Sequence, residues 1–297
     1  MRQNLLPKLY DNPLISKELK SRMRGRQGFI LLTAYLALVS LVIAGLYWYA
    51  IAEDNLKRFN MDELAELGKR VFYAVVLMEF LLIGLIAPAL TSGAISSERE
   101  RGTFDLLKTT LLSSKELVIG KLGAATAYLF LLIFAALPLQ SLAFFLGGVG
   151  LAELVISLII MTTSTLMFGA LGIYFSGLAK RTVIATVSSY ASLLLPVVFL
   201  AGLYFFLVEG NLDTSAMTLE EENLLMYFFW MILSTNPFTA AALSQLMLEN
   251  EQLLYTYQPP GLPFPLFSPW ILYTAYSLLL TFSMIGLVIF YINRYER

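Results

Sequence analysis

Six apolar stretches occur along this chain, and each is long enough to cross the hydrocarbon core of a bilayer as an α-helix, which takes about 20 residues. Charged residues make up only 14% of the sequence. About 25% is usual in a soluble domain, so this chain lacks the side chains to cover itself with a polar surface. The sequence therefore predicts an all-α polytopic membrane protein with six transmembrane helices, forming one domain over residues 1–297. The six stretches are residues 29–51, 71–90, 117–146, 154–178, 182–207 and 271–292.

The basic residues predict how these helices are oriented. Of the 20 Lys and Arg residues, sixteen lie before the first stretch, in the second and fourth connections, or in the tail. The other four lie in the first connection, and the third and fifth connections have none. Because the positive side of a membrane protein faces the cytoplasm, we expect both termini to be cytoplasmic. The chain is thus expected to be a multi-pass protein of the cytoplasmic membrane, and it shows no basic domain for nucleic acid.

The first 28 residues are mostly polar and carry a helix-start signal at Asn12-Pro13, an N-cap residue followed by proline. Ile15, Leu19 and Met23 then recur every four residues, and basic residues fill the other faces. This pattern predicts a cytoplasmic amphipathic helix that lies on the membrane surface. The alternative is a basic stretch that only sets the topology.

The fifth connection, residues 208–270, is acidic and contains no basic residue. Its apolar run 224–233 is too short to cross a core of about 30 Å, and Asn236-Pro237 interrupts the helical pattern after it. We therefore expect residues 224–248 to form a pair of external or re-entrant helices rather than a seventh span.

Several kinds of chemistry are excluded by residue types. The chain has no cysteine and no histidine, which removes disulfides, thiolate chemistry and the commonest general base and metal ligand. A phosphate-binding P-loop is absent, because Gly120-Lys121 is followed by Leu122 and lacks the earlier glycine. The sequence therefore predicts a chain that is not an enzyme and does not bind ATP itself.

The second connection, residues 93–116, and the residues just after it carry the most specific pattern. It resembles the loop after the second span in permeases of the type-2 ABC exporter family, where Glu-Arg-Glu, Gly-Thr and a leucine pair precede a Ser-(Arg/Lys)-Glu step and Gly-Lys. Family members often have proline where this chain has Leu112, which is a mild departure. The matching residues are Glu98, Arg99, Glu100, Gly102, Thr103, Leu106, Leu107, Ser114, Lys115, Glu116, Gly120 and Lys121.

This resemblance implies that the chain works with other subunits. Permeases of the family pair as homodimers or heterodimers, and each pair works with a dimer of separate ABC ATPase subunits. ATP and Mg²⁺ would be bound by the ATPase partner, and this chain would bind no cofactor. The implied function is a permease subunit that exports an unidentified substrate by alternating access. The alternative is a membrane anchor or assembly factor for an ATPase that transports no solute.

The same connection can be interpreted from its residues alone. Either Ser96 or Ser97 is suited to cap a helix, and Glu98 and Glu100 suit the positive N-terminal end of that helix. We therefore expect a short capped helix in this connection.

Beyond that helix, Gly102 permits a turn or a close approach, and Leu106 and Leu107 form an apolar face that could dock in a groove of a partner. The alternative is a helix that rests on lipid. With the resemblance we expect docking on the ATPase. The candidate coupling residues are Ser97, Glu98, Arg99, Glu100, Gly102, Thr103, Leu106 and Leu107.

Glu79 is the one acidic residue that we place well inside a predicted span. An ionised carboxylate there costs roughly 2.5–3.5 kcal/mol on insertion scales. It could contact a substrate or a proton, or it could hydrogen-bond to a neighbouring helix as a purely structural group. Catalysis by Glu79 in an intramembrane enzyme would need a second convergent polar group, and none is evident in the spans.

Small residues in the fourth stretch predict close helix packing. Gly172 and Ser176 are separated by one helical turn, and this small-xxx-small spacing allows another backbone to approach.

Overall fold

The computed structural model describes residues 26–53, 61–104, 113–209, 218–251, 254–258 and 262–295. The predicted amphipathic helix over residues 1–28 lies almost entirely outside the described residues, as do Leu106 and Leu107.

Six long helices dominate the described part of the chain, and all six are long and apolar enough to cross a membrane. The predicted all-α polytopic fold with six spans is therefore confirmed at this level. The helices are α1 (Arg26–Glu53), α2 (Met61–Thr91), α4 (Ser114–Phe145), α5 (Leu151–Leu178), α6 (Thr182–Glu209) and α9 (Pro269–Tyr295).

Shorter elements connect these helices. Between α2 and α4 lies the five-residue helix α3 (Ser96–Glu100). Two further helices, α7 (Leu219–Thr235) and α8 (Pro237–Glu251), precede the two-residue strands β1 (Thr256–Tyr257) and β2 (Leu266–Phe267), which pair antiparallel.

Helix α2 begins ten residues before the predicted stretch 71–90, at Met61. The prediction followed hydropathy, whereas the helical backbone continues through a polar segment. Glu66 and Arg70 support this extension with an i,i+4 ion pair of 2.6 Å between Oε1 and Nη2.

Helix α5 is the centre of the bundle. It packs against α2, α4, α6 and α9, and 67% of its apolar window is buried, compared with 11% in α1 and in α6. Helices α1 and α6 therefore lie at the periphery and present apolar side chains outward.

Close packing at Gly172 confirms the prediction from the small-xxx-small spacing. A Cβ at Gly172 would lie 1.9 Å from Oγ1 of Thr91 on α2, so only glycine allows this approach. At the other end of α5, a Cβ at Gly148 would lie 2.0 Å from the Ala65 carbonyl oxygen. The connection before α5 is therefore pressed directly against the first turns of α2.

The bundle has two distinct ends. One end, here called the basic end, contains residues 92–104, Ser113 and the connection 179–181. The opposite end contains the connection 146–150 and the described residues that lie between α6 and α9. A separate hydrophobic cluster fills the core at the basic end; its members are Ile95, Phe104, Leu117, Val118, Leu122, Ala170, Ile173, Val288 and Ile292.

Helices α7 and α8 break at Asn236, where the sequence predicted an interruption, and their axes differ by 115°. The indole N–H of Trp230 donates to the Phe267 carbonyl over 2.9 Å. The Tyr227 hydroxyl donates to the Phe264 carbonyl over 2.8 Å. These bonds hold α7 against the segment that contains β2. A re-entrant placement of the pair in a membrane stays a prediction.

Candidate functional site

The predicted coupling residues lie in the connection between α2 and α4, at the basic end. The short helix α3 spans Ser96–Glu100, with Ile95 at its N-cap position and no side-chain cap. The predicted serine cap is therefore wrong. The Ser96 and Ser97 hydroxyls instead donate to the carbonyl oxygens of Ser92 and Gly93, one turn earlier, over 2.9 Å and 2.5 Å.

The start of α3 is held by a residue from another helix. The Ile95 and Ser96 backbone N–H groups both donate to Oγ of Ser176 on α5, over 2.8 Å and 3.0 Å. These N–H groups are among those that a helix leaves without an internal partner. Ser176 therefore does for α3 what the prediction assigned to Ser96 or Ser97.

Arg99 joins α3 to the C-terminal end of α5. Its Nη2 donates to the Gly177 carbonyl over 2.6 Å, and its Nη1 donates to the Ala179 carbonyl over 2.9 Å. The last carbonyl groups of a helix lack internal partners and carry partial negative charge, so a guanidinium is well suited to this position. The Arg99 guanidinium also lies 5.2 Å from the ring centroid of Phe104.

Glu100 joins α3 to the N-terminal end of α6. Its Oε2 accepts from the Thr182 hydroxyl over 2.7 Å, and its Oε1 accepts from the Thr182 backbone N–H over 3.0 Å. These two hydrogen bonds lower the pKa of Glu100. Because the folded-state pKa is lowered, the contact is present at neutral pH and is lost as the pH falls through that pKa. The carboxylate therefore suits the positive end of a helix, but that helix is α6 and not α3.

Glu98 faces the third partner, α4. Its Oε1 lies 3.5 Å from Nζ of Lys121, whose side chain is only 7% exposed. The Thr103 hydroxyl donates to Oε2 of Glu98, and this bond, followed by the charge of Lys121, lowers the pKa of Glu98. The buried ammonium group of Lys121 therefore has a carboxylate beside it.

Gly102 ends α3 in a turn that requires glycine. Its φ is +67°, in the left-handed region that a side chain disfavours. The Thr103 N–H then reaches back to the Glu98 carbonyl over 3.0 Å. The turn returns the chain toward α3, so that Phe104 is buried in the hydrophobic cluster of the basic end.

The second half of the pattern that resembles the exporter family, residues 114–121, lies at the start of α4. Ser113 is the N-cap, and its hydroxyl and the Glu116 carboxylate form a reciprocal capping box. Ser114 donates to the Asn293 side chain on α9 over 2.7 Å. The connection is therefore tied to α4, α5, α6 and α9.

The structure brings together six of the eight candidate coupling residues, and we call this set of contacts the loop anchor. It comprises Ser97, Glu98, Arg99, Glu100, Gly102 and Thr103, together with the N–H groups of Ile95 and Ser96 at the start of α3. Ser176 accepts from those two N–H groups, Gly177 and Ala179 accept from Arg99, Thr182 donates to Glu100, and Lys121 lies beside Glu98. Ser176 and Thr182 were missed as partners because nothing in a linear sequence links positions about 80 residues apart.

Glu79 lies apart from the loop anchor, fully buried in the core of the bundle. The amide nitrogen of Gln140 on α4 donates to its Oε2 over 2.6 Å. Among the described residues, Oε1 of Glu79 and Oε1 of Gln140 have no hydrogen-bond partner in the protein. Glu79 therefore faces protein rather than lipid, and whether its role is structural or functional stays a prediction. The sequence did contain a signal for Gln140, since it is the one amide side chain in the apolar stretch 117–146.

Comparison with known proteins covers nearly the whole chain. A family model described as ABC-2 family transporter protein matches residues 13–293. No curated protein matches the chain.

Proposed function

Because this chain belongs to the ABC-2 family of transporter proteins, as a membrane permease subunit and not the ATPase, we propose that it is the permease of an ATP-driven exporter. The family implies association with an ABC ATPase. In this proposal two permeases pair, and two ATPase subunits bind ATP and Mg²⁺ and drive the passage of a substrate between the permeases.

The charge distribution supports a cytoplasmic location for the basic end. The connections 92–113 and 179–181 contain Arg99, Arg101, Lys108, Lys180 and Arg181, whereas the third and fifth connections have no basic residue and the first has four. Cytoplasmic connections of membrane proteins are enriched in Lys and Arg. ATP is available on that side, so the loop anchor would face the ATPase.

The single observation that carries the coupling role is the double attachment of α3. Arg99 binds the last carbonyl groups of α5, and Glu100 binds the first N–H group of α6. A displacement of the connection by the ATPase would therefore pull directly on the ends of both helices. Since α5 is the most buried helix of the bundle, its displacement would change the packing against α2, α4 and α9 together.

Docking of the ATPase is assigned in this proposal to the segment after the loop anchor. Leu106 and Leu107 occupy the positions of the family's leucine pair. Burial of a leucine side chain contributes roughly 1.5–3 kcal/mol, so a pair provides most of a local docking energy.

Affinity purification of the full-length chain from its own membranes tests the proposal. An ABC ATPase should co-purify with the native chain and with the double variant Leu106→Met, Leu107→Met, which keeps both side chains apolar. The double variant Leu106→Asp, Leu107→Asp should lose the ATPase or its permease-stimulated hydrolysis, while the spans still insert. A native chain that retains no ATPase would contradict the exporter.

The alternative role, an anchor without transport, predicts a different result. An anchor would bind the ATPase equally well whether or not α3 is attached to α5 and α6, and hydrolysis would not respond to that attachment. Undiminished binding and hydrolysis in the aspartate variant would remove this segment from the mechanism.

A further inference from the structure

An apolar cleft of about 420 Å³ lies between α2, α5 and α8, toward the opposite end of the bundle. Phe72 and Phe80 on α2, Ile156 and Ile160 on α5, and Phe238 on α8 form its wall. The Phe80 and Phe238 rings meet edge to face, with centroids 5.7 Å apart. A volume of a few hundred Å³ is sufficient for a small ligand or one apolar chain.

The cleft opens sideways onto the outer surface of the bundle. Tyr73, Leu77 and Leu246 line its mouth and are 37%, 50% and 52% exposed. Residues 73 and 77 lie within the apolar stretch 71–90, so a bilayer covers this surface in a chain of this family. An occupant therefore enters from lipid rather than from water.

Three of the lining residues are polar: Glu153, Ser157 and Gln245. Glu153 and Ser157 are in the first two turns of α5, and the Glu153 carboxylate accepts from the Gly150 N–H. Phe80, Phe238 and the other lining residues are apolar. The occupant is therefore amphiphilic, with its polar group near the start of α5.

Two basic residues lie on α2 one turn before the first lining residues of the cleft. Lys69 and Arg70 precede Phe72 and Tyr73 by three positions, and residues three apart share a helix face. The Arg70–Glu66 ion pair has both side chains more than 60% exposed, and such pairs are weak enough to yield to a stronger anion. Basic side chains at the membrane surface attract anionic head groups.

We propose that this cleft binds one acyl chain of a membrane phospholipid, with the lipid phosphate against Lys69 and Arg70. The apolar wall, the lateral mouth and the basic residues one turn before the cleft on α2 all match this class of ligand. The site concerns a resident or regulatory lipid, and it is independent of the substrate that the transporter exports.

Native mass spectrometry of the full-length chain, released from vesicles of phosphatidylglycerol and phosphatidylethanolamine, tests the proposal. The native chain should retain one phospholipid that survives mild activation. Ala242→Trp, at an exposed lining position, should lose that lipid because the indole fills the mouth. Leu77→Trp tests the same mouth from α2, and Val187→Trp, 61% exposed on α6, is the matched control and should retain the lipid.

A second pair of measurements tests the head-group contact. The double variant Lys69→Gln, Arg70→Gln should weaken retention of phosphatidylglycerol about tenfold. It should leave binding of uncharged diacylglycerol unchanged. Equal losses for both lipids would overturn the phosphate contact.

Other occupants give distinguishable results that would also overturn the proposal. If a second copy of the chain fills the cleft, the tryptophan variants will separate the copies without changing lipid retention. If both tryptophan variants are folded and still carry the lipid, no acyl chain lies in the cleft.

Discussion

At the scale of single residues, Arg99 has a different role from the one that its place in the family pattern first suggests. A charged residue in an ATPase-coupling loop is expected to face the partner, but both described contacts of the Arg99 Nη atoms are with carbonyl groups at the end of α5. Hydrogen bonds that involve a charged group contribute about 1.5–3 kcal/mol each. In the proposed mechanism, Arg99 is therefore a positioning residue that would transmit movement within the chain.

Replacement of Arg99 tests this role. Arg99→Gln should leave the ATPase bound but should reduce its permease-stimulated hydrolysis severalfold, because α3 loses its contact with the last carbonyl groups of α5 and keeps only the Ser176 contact to that helix. Thermal unfolding should show a loss of about 2 kcal/mol, the scale of one or two charge-assisted hydrogen bonds. Arg101→Gln, at the exposed neighbouring position, is the control and should change neither quantity. An unchanged hydrolysis rate in Arg99→Gln would favour the anchor without transport.

Glu79 and Gln140 form a buried pair whose energetics can be separated from function. Glu79→Leu leaves the Gln140 amide buried without its partner, which costs about 1–3 kcal/mol of unfolding free energy. The double variant Glu79→Leu, Gln140→Leu removes both polar groups and should recover most of that loss. A double variant as unstable as the sum of the two single variants would show that the pair is not coupled.

Glu79→Gln then separates the structural role from the functional one. We expect this variant to fold, to assemble with the ATPase and to lose at most part of the coupled activity, measured as permease-stimulated hydrolysis. Complete loss of that activity with normal assembly would instead assign Glu79 to a substrate or a proton.

At the scale of elements, helices α7 and α8 distinguish two topologies. The break at Asn236 and the angle of 115° suit a hairpin that enters the membrane and returns, but a single bent span would have the same helices. The hairpin keeps the acidic connection 249–270 and the tail on the sides that their charges favour. A single crossing would reverse both.

Cysteine labelling decides between these topologies, since the chain has no native cysteine. We expect Glu249→Cys to react with a membrane-impermeant maleimide from outside the cell only. Lys180→Cys, in the connection at the basic end, should react from the cytoplasmic side only. Labelling of Glu249→Cys from the cytoplasm alone would refute the hairpin.

At the scale of the whole molecule, six spans place both termini on one side of the membrane. The sixteen basic residues assigned to that side predict that it is the cytoplasm. Reporter fusions after Arg297 should therefore report the cytoplasm, and fusions within residues 220–222 should report the outside. Signals from the same side for positions 297 and 220–222 would overturn the six-span topology.

The number and approximate bounds of the long helices, the helix break at Asn236 and the family resemblance could all be predicted from the amino-acid sequence. These features depend on quantities that add up along a short segment, such as apolar length, local charge and turn residues. The predicted start of α2 was wrong because the prediction followed local hydropathy. The apolar stretch begins at Val71, whereas the helix begins at Met61.

The contacts of the charged motif, in contrast, depend on how the helices pack. Arg99 and Glu100 bind groups 78–82 positions away in sequence, and Glu79 meets Gln140 across 61 positions. Such partners depend on which helices pack together and at what depth. The apolar faces that drive this packing do not indicate which polar residues will meet between them. The motif residues could therefore be named from the sequence, while their partners could not.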